Sequence, residues 1–300
     1  MESKIIILNN HEISLSNLDK LYWPAEKITK GDVINYYDAI ASFILPYLKN
    51  RPMVLKRNPN GIRDEGFYQK DASPIAPIWM KTANIYSTPT KKTIQYLVCD
   101  NKASLLYIAN LGCIEMHPWH SRLQEINKPD YIVIDIDPSV KNTFDDVVEV
   151  AIEIKSTLDK LAIKSYCKTS GATGLHIYIP CSTKYTYSEI RNFAHQLAIL
   201  VNKRLPHLTT LERSLNKRKT NQIYIDYLQN KKGQTLSSAY SVRARPGATV
   251  STPLEWEEVK IGLDPKSFTI HTIIERLRRK GDLFKSVLHK SNFKLEHFNI

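Results

Sequence analysis

Apolar positions recur along this chain with two spacings, every second residue and every third or fourth, and the two patterns alternate. The opening Lys4-Ile5-Ile6-Ile7-Leu8 reads as a strand, too short for a signal peptide, and residues 53–57 read as another. Between them Ile34, Tyr37, Ala41, Ile44 and Leu48 keep helical spacing, behind a capping-box-like start at Thr29 and Asp32. Residues 58–91 are rich in Pro and Gly and are expected as loops with exposed side chains. The run Tyr131-Ile132-Val133-Ile134-Asp135-Ile136-Asp137 is a strand that Pro138 ends. An amphipathic helix follows (Val147, Ala151, Ile154, Leu158, Leu161), then strands at 165–169 and 175–179 around a turn at 170–174. Thr186 and Glu189 cap a further helix, striped by Ile190, Ala194, Leu197, Val201 and Leu205, and 223–228 is strand-like again. A last helix is expected over about 267–280, with Gly281 just past its end. Strand, helix, hairpin, helix, strand predicts an α+β sheet with helices on one face.

Alternation also sorts the charges. Ile132, Ile134 and Ile136 point one way, and Val133, Asp135 and Asp137 the other. Two carboxylates on one face at a strand end repel unless a cation lies between them, and hard divalent ions such as Mg²⁺ or Mn²⁺ suit carboxylate oxygens. A solvated strand end before a Pro turn is the plain alternative. Asp226 lies inside another apolar run, where burying it without donors or a cation is costly. Three carboxylates on two strands are what two-metal phosphoryl transfer requires, although an exposed edge-strand aspartate would look the same.

Composition narrows the partners. A formal charge of +12 favours a polyanion, and 42% hydrophobic residues is ordinary for a globular protein. The charge clusters at Lys203, Arg204, Arg213, Lys217, Arg218 and Lys219, just before the Asp226 run, and at Arg276, Arg278, Arg279 and Lys280. No apolar stretch reaches the roughly 20 residues of a membrane span. Cys99, Cys113, Cys167 and Cys181 show no metal spacing, and reduced structural thiols in a cytoplasmic protein are expected.

Other groups suit phosphates and bases. The turn Ser170-Gly171-Ala172-Thr173-Gly174 precedes His176, and its backbone N–H groups are candidates to cradle a phosphate, though hairpins need glycine anyway. Arg243 and Arg245 are expected on one face of an extended segment, and guanidinium forks match phosphate oxygens, with charge-paired surface arginines as the plain alternative. Lys56 and Arg57 end an apolar strand in a weaker version of that pattern. Phe67 and Tyr68 lie among basic residues, an arrangement suited to base stacking or to a loop folded back on the core.

The ordered segments YIVIDIDPS, TSGATGLHIYIP, IYIDYLQN and SAYSVRARPGATVSTPLEWEEV resemble the polymerase domain of the DNA ligase D system. That domain belongs to the archaeo-eukaryotic primase superfamily and serves non-homologous end joining. LSNLDKLYWP, LKRNPNGI, GFYQK and ANLGCIEMHPWHSR have counterparts there too, so the resemblance covers about residues 10–280. It implies a primase-polymerase core with an RNA-recognition-like antiparallel sheet and an N-terminal α/β module. The organisation expected is one domain over 1–300, with an N-terminal module to about 125, a catalytic sheet module over about 126–250 and a helical segment from about 251. It assigns Asp135, Asp137 and Asp226 to metals, and Lys56, His117, Ser170, His176, Gln229, Arg243 and Arg245 to the nucleotide. Asn17, Lys20 and Lys30 match a pocket for a DNA 5′-phosphate, and Phe67 and Tyr68 a loop that stacks on the template. Thr173 departs from the pattern, since some relatives carry lysine there.

The expected activity is template-directed nucleotide addition across short gaps or at 3′ ends of DNA breaks, with two Mn²⁺ or Mg²⁺ ions and a preference for ribonucleotides. Expected partners are gapped or broken DNA with a 5′-phosphate, NTPs and dNTPs, a DNA ligase and a DNA-end-binding protein, with no membrane. No ligase-type lysine motif and no nuclease module is visible, so the chain reads as a stand-alone polymerase or a piece of a longer protein. A primase or replicative primase-polymerase is the second enzymatic reading, disfavoured by the 5′-phosphate pocket. A nuclease fits the paired arginines less well. A non-catalytic module that bridges DNA ends is the reading from another class.

Overall fold

A computed structural model of the chain describes residues 3–214, 216–289, 291 and 293–295. Its backbone is mixed α and β and divides into two units, each assembled from separate stretches of sequence. One takes residues 1–124, 235–251 and 266–279, and the other 125–234, 252–265 and 280–300. The chain from 251 onward thus contributes to both.

The second unit is built on a six-stranded sheet. Its spatial order is Thr209–Thr210, Ile223–Asp226, Tyr131–Asp137, Leu175–Pro180, Tyr166–Thr169 and Pro253–Leu254, antiparallel except for the first pair. Ile132, Ile134 and Ile136 are fully buried, as their alternation predicts. Helices Phe144–Lys160 and Tyr187–Arg204 pack on the sheet and on each other through the expected stripes. Each begins with a complete capping box, Thr143 with Asp146 and Thr186 with Glu189, a device that contributes about 1 kcal/mol per helix.

The first unit holds a three-stranded antiparallel sheet in the order Phe67–Gln69, Met53–Arg57, Cys113–Pro118. Hairpins Ser3–Leu8/His11–Ser16 and Thr82–Ser87/Lys92–Leu97 join it, with helices Lys30–Ala39, Ala41–Leu48 and Lys102–Asn110. Thr29 caps the first helix through the expected box with Asp32.

Three local expectations need correction. The stripe from Ile34 to Leu48 belongs to two helices, Lys30–Ala39 and Ala41–Leu48, because Ile40 leaves helical geometry (φ -101°, ψ 10°). Residues 58–91 contain two strands, Phe67–Gln69 and Thr82–Ser87, whose partners supply the hydrogen bonds that local composition does not reveal. The last helix is shorter, Ile273–Lys280. Ahead of it Thr269 bridges Thr249, Ile270 N–H donates to Ala248, and Thr272 Oγ1 donates to the Ser267 carbonyl at 2.7 Å. Gly281 takes the left-handed conformation (φ +68°) that ends a helix. Cys99, Cys113, Cys167 and Cys181 are free and buried, and burial raises each thiol pKa. Among the described residues no helix is long and apolar enough to cross a membrane.

Candidate active site

Strand register in the six-stranded sheet sets Asp226 opposite Asp135, Asp135 opposite His176, and His176 opposite Lys168. Residues directly opposite share a face, so these four side chains form a row across four strands. Asp137 lies on the same face, opposite Tyr224. Lys168 is fully buried, and its Nζ is 2.9 Å from His176 Nδ1. An ammonium can only donate, so Nδ1 accepts and the ring proton sits on Nε2, which lies 3.4 Å from Asp135 Oδ1.

The strand ends at Asp226, sooner than expected, because Leu228 N–H donates to Asp226 Oδ1 at 2.8 Å and opens a 3₁₀ turn. That turn brings Gln229 Nε2 to 3.1 Å from Asp226 Oδ2 and 3.5 Å from Asp135 Oδ2. The Tyr224 hydroxyl donates to Asp226 Oδ1 at 3.2 Å. Even so the Asp226 carboxyl is pushed above its ordinary pKa, chiefly by burial and further by the charge of Asp137, against the hydrogen bonds it accepts. Asp137 meets Arg218 Nη1 at 3.2 Å. Arg218 lies over the Tyr224 ring at 4.1 Å and donates to the Glu212 and Arg213 carbonyls.

Hard carboxylates gathered on one face, one of them raised by burial and further by its neighbour's charge, are the donor set Mg²⁺ or Mn²⁺ takes. With the carboxylates turned to Arg218, Tyr224 and Gln229, no group of three or more His, Cys, Asp and Glu among the described residues is positioned around an ion. The set fits the ions chemically; loading them requires those partners to yield.

The turn after Lys168 differs from expectation. Ser170 Oγ accepts the N–H groups of Ala172 and Gly174 at 3.1 and 3.0 Å, so two of the turn's donors hold the turn itself. A Cβ at Gly174 would lie 2.1 Å from the Ile136 carbonyl, and only glycine permits this approach to the aspartate strand.

The first unit carries a second polar row. On its sheet Lys56 is opposite both Tyr68 and Glu115, and His117 shares the Glu115 face. Glu115 Oε2 is 2.8 Å from His117 Nε2 and 3.0 Å from Arg243 Nε, while Oε1 accepts the Ala244 N–H at 3.0 Å. Burial would raise this carboxyl, but the His117 hydrogen bond, the Arg243 charge and the Ala244 N–H outweigh it and bring the pKa down to about 2. Lys56 Nζ lies 4.9 Å from the centre of the Tyr68 ring and donates to the Glu65 carbonyl at 2.6 Å. Burial raises the Tyr68 hydroxyl pKa, as does Glu115, while the charges of Arg243 and Arg245 lower it.

Phe67 and Tyr68 are exposed but sit on a strand, so alternation turns them to opposite faces, Phe67 under Arg57 and Tyr68 under Lys56. The segment carrying Arg243 and Arg245 is not extended: Arg245 N–H donates to the Arg243 carbonyl at 2.8 Å and the chain turns. Asn17, Lys20 and Lys30 are brought together by the backbone. Asn17 sits in the left-handed region (φ 55°), and Lys30 and Gly31 N–H groups donate to the Lys20 and Leu18 carbonyls. Lys30 is buried, donates to the Ser16 carbonyl at 2.7 Å and has its pKa lowered to about 8, by burial first and by Lys20 and Arg57 after it.

A family model described as "LigD, primase-polymerase domain" matches residues 29–284. The chain belongs to that family. It is 35% identical to a bifunctional non-homologous end joining protein LigD of Bacillus subtilis, over 90% of this chain and 43% of that protein. A multifunctional non-homologous end joining protein LigD of Mycolicibacterium smegmatis is 30% identical, over 90% of this chain and 35% of its own length. The chain therefore spans less than half of these relatives. The polymerase domain of Mycobacterium tuberculosis Ligase D, solved in complex with DNA, superposes with a TM-score of 0.83 at 26% identity, covering 92% of this chain and 97% of that one.

For this LigD primase-polymerase domain, the sequence alone did not single out Glu115 or Lys168, and it offered Arg218 only as part of a basic run. Glu115 did carry a signal. It is an acid inside an apolar strand, two residues before a histidine and hence on the same face. Lys168 likewise sits in a short strand beside the Ser170 turn, but its histidine partner is a cross-strand neighbour that spacing does not disclose. The expected basic cluster at 276–280 is partly engaged: Arg276 over Phe268, Arg278 with Glu275, and Lys280 with Glu255 and Glu258.

Proposed function

We propose that this chain is a metal-dependent nucleotidyltransferase that extends a primer 3′-hydroxyl across short gaps or at broken DNA ends in non-homologous end joining. The observation that carries the reading is the cross-strand row of Asp226, Asp135 and His176, with Asp137 on the same face. Family membership and the likeness to a DNA-bound polymerase domain support it. The antiparallel strands around Tyr131–Asp137 support a primase-polymerase core of the RNA-recognition type. Asp135, Asp137 and Asp226 would hold two Mn²⁺ or Mg²⁺ ions, which when bound neutralise phosphate charge and activate the attacking oxygen. Gln229 spans two of these carboxylates and fixes their separation. His176, kept with its proton on Nε2 by Lys168, is a donor for a phosphate oxygen.

Lys56, His117, Ser170, Arg243 and Arg245 are assigned to the nucleotide, Asn17, Lys20 and Lys30 to a 5′-phosphate, and Phe67 and Tyr68 to the template. Ribonucleotides are the preferred substrates in this reading. A DNA ligase and a DNA-end-binding protein are the partners in this reading.

Primer extension on a gapped duplex, with and without a 5′-phosphate and with NTPs and dNTPs offered separately, tests it. Addition should be stronger on the phosphorylated gap and with NTPs. No addition under either Mg²⁺ or Mn²⁺ would remove the polymerase. Gap binding without addition would leave the non-catalytic end-bridging reading.

A further inference from the structure

Two hydrogen-bond donors and one guanidinium charge, from two parts of the chain, converge on one carboxylate in the first unit. His117 Nε2, Arg243 Nε and the Ala244 N–H lie 2.8 to 3.0 Å from the two oxygens of Glu115. Only 4% of Glu115 and 6% of His117 are exposed, so water does not substitute for these contacts. We infer that Glu115 is a positioning residue for nucleotide binding: its carboxylate sets the orientation of the His117 ring and draws Arg243 into a fixed place beside it. The inference rests on the reading of His117 and Arg243 as nucleotide contacts. The proton-bearing nitrogen of His117 is held at Nε2 by the acceptor it faces. A carboxylate beside a polyanion site would by itself repel the ligand; committed to two basic groups and a backbone donor, it instead pre-organises them. Its acidity follows, since two donors and the Arg243 charge keep it ionised throughout the neutral range.

Glu115→Gln is the informative variant, because the amide keeps the shape but offers one oxygen and no charge where two donors and a guanidinium now face a carboxylate. The full chain is used, with single-nucleotide addition on a gapped duplex as the assay, for Glu115→Gln, His117→Ala and the double variant. Glu115→Gln should raise KM for the nucleotide about tenfold and leave kcat within about twofold, as loss of uniform binding does. Affinity for the gapped duplex should not change. The double variant should fall short of the product of the two single effects, since Glu115 acts partly through His117 and partly through Arg243. An unchanged KM in folded Glu115→Gln, or effects that multiply in the double variant, would overturn the inference. If the unaltered protein adds no nucleotide, the polymerase reading has failed, and titration with Mg²⁺-ATP decides the inference alone. Binding about tenfold weaker in Glu115→Gln sustains it; equal affinity, or no binding by the unaltered protein, overturns it.

Discussion

Each unit lays a row of polar side chains across an antiparallel sheet, and each row contains a half-buried or buried acid, yet the two acids are in opposite electrostatic states. Glu115 has a histidine, an arginine and a backbone N–H on its oxygens, and its pKa falls to about 2. Among the described residues Asp226 accepts three hydrogen bonds and meets no cationic side chain, and burial first and the charge of Asp137 after it raise its pKa. One carboxylate is complete within the fold. The other is electrostatically unfinished, and a positive charge from outside would lower its energy. An acid in an apolar strand therefore has two meanings, and the neighbours across the sheet decide between them.

The widest separation between the rows is in what deletion does. Asp135→Ala or Asp226→Ala should reduce nucleotide addition by roughly 10³-fold or more, with gapped-DNA affinity nearly intact. For Asp226→Ala apo stability should hold or rise, because a raised carboxylate is removed. Normal extension by either folded variant would end the three-aspartate mechanism. Glu115→Ala should instead cost about 3 kcal/mol in urea unfolding, the penalty for stranding buried partners of an ion pair. A loss below about 0.5 kcal/mol, the usual range of an exposed site, would show that the row is not locked.

Lys168→Met tests the other row at its buried end. Without the ammonium, His176 is free to move its proton to Nδ1, and nucleotide addition should drop about 10- to 100-fold, as for other groups that orient a site residue. An unaltered rate would mean that the His176 tautomer is immaterial.

Acid titration should show the two acids with opposite signs. Glu115 has a folded pKa below its unfolded value, so its stabilisation is present above about pH 4.5 and is lost as pH falls through about 2. Asp226 has a folded pKa above its ordinary 3.8, so its contribution is best below that value and is lost as pH rises through the folded one. Urea unfolding across the acid range should thus show Asp226→Asn gaining on the unaltered protein as pH rises and Glu115→Gln falling behind it. Parallel curves would contradict the contrast.

The smallest effect belongs to Lys30. Its ammonium titrates near pH 8, so binding a terminal phosphate above that pH must take up a proton. Affinity for a 5′-phosphorylated gap should fall as pH rises through about 8, by at most about tenfold per unit. An unphosphorylated gap should show no such slope. Equal slopes on both would detach Lys30 from the phosphate.

Much of this was legible in order along the chain. Capping boxes at Thr29 and Thr186, the alternation of 131–137 and the helical stripes depend on neighbours within four residues, and the structure retains them. Phe67 and Tyr68 were legible as exposed aromatics, but not as strand residues, because their hydrogen bonds come from Met53–Arg57 and not from the local sequence. The argument that marked Asp226, an acid too costly to leave in an apolar strand, applies equally to Cys113–Pro118 and would have found Glu115.

The sequence by itself determined which faces are apolar, where helices begin, and that Asp135 and Asp137 share a side, since backbone periodicity and capping are local. It also carried, in its ordered motifs, the resemblance to the family. Only the tertiary structure decided that Asp226 stands opposite Asp135, that Lys168 sets the His176 proton, and that Glu115 is satisfied while Asp226 is not. Those facts rest on cross-strand register and burial, through which residues up to 129 positions apart meet, as Ala244 and Glu115 do. Electrostatic energy depends on that distance and on desolvation, and neither is a property of any short stretch of chain.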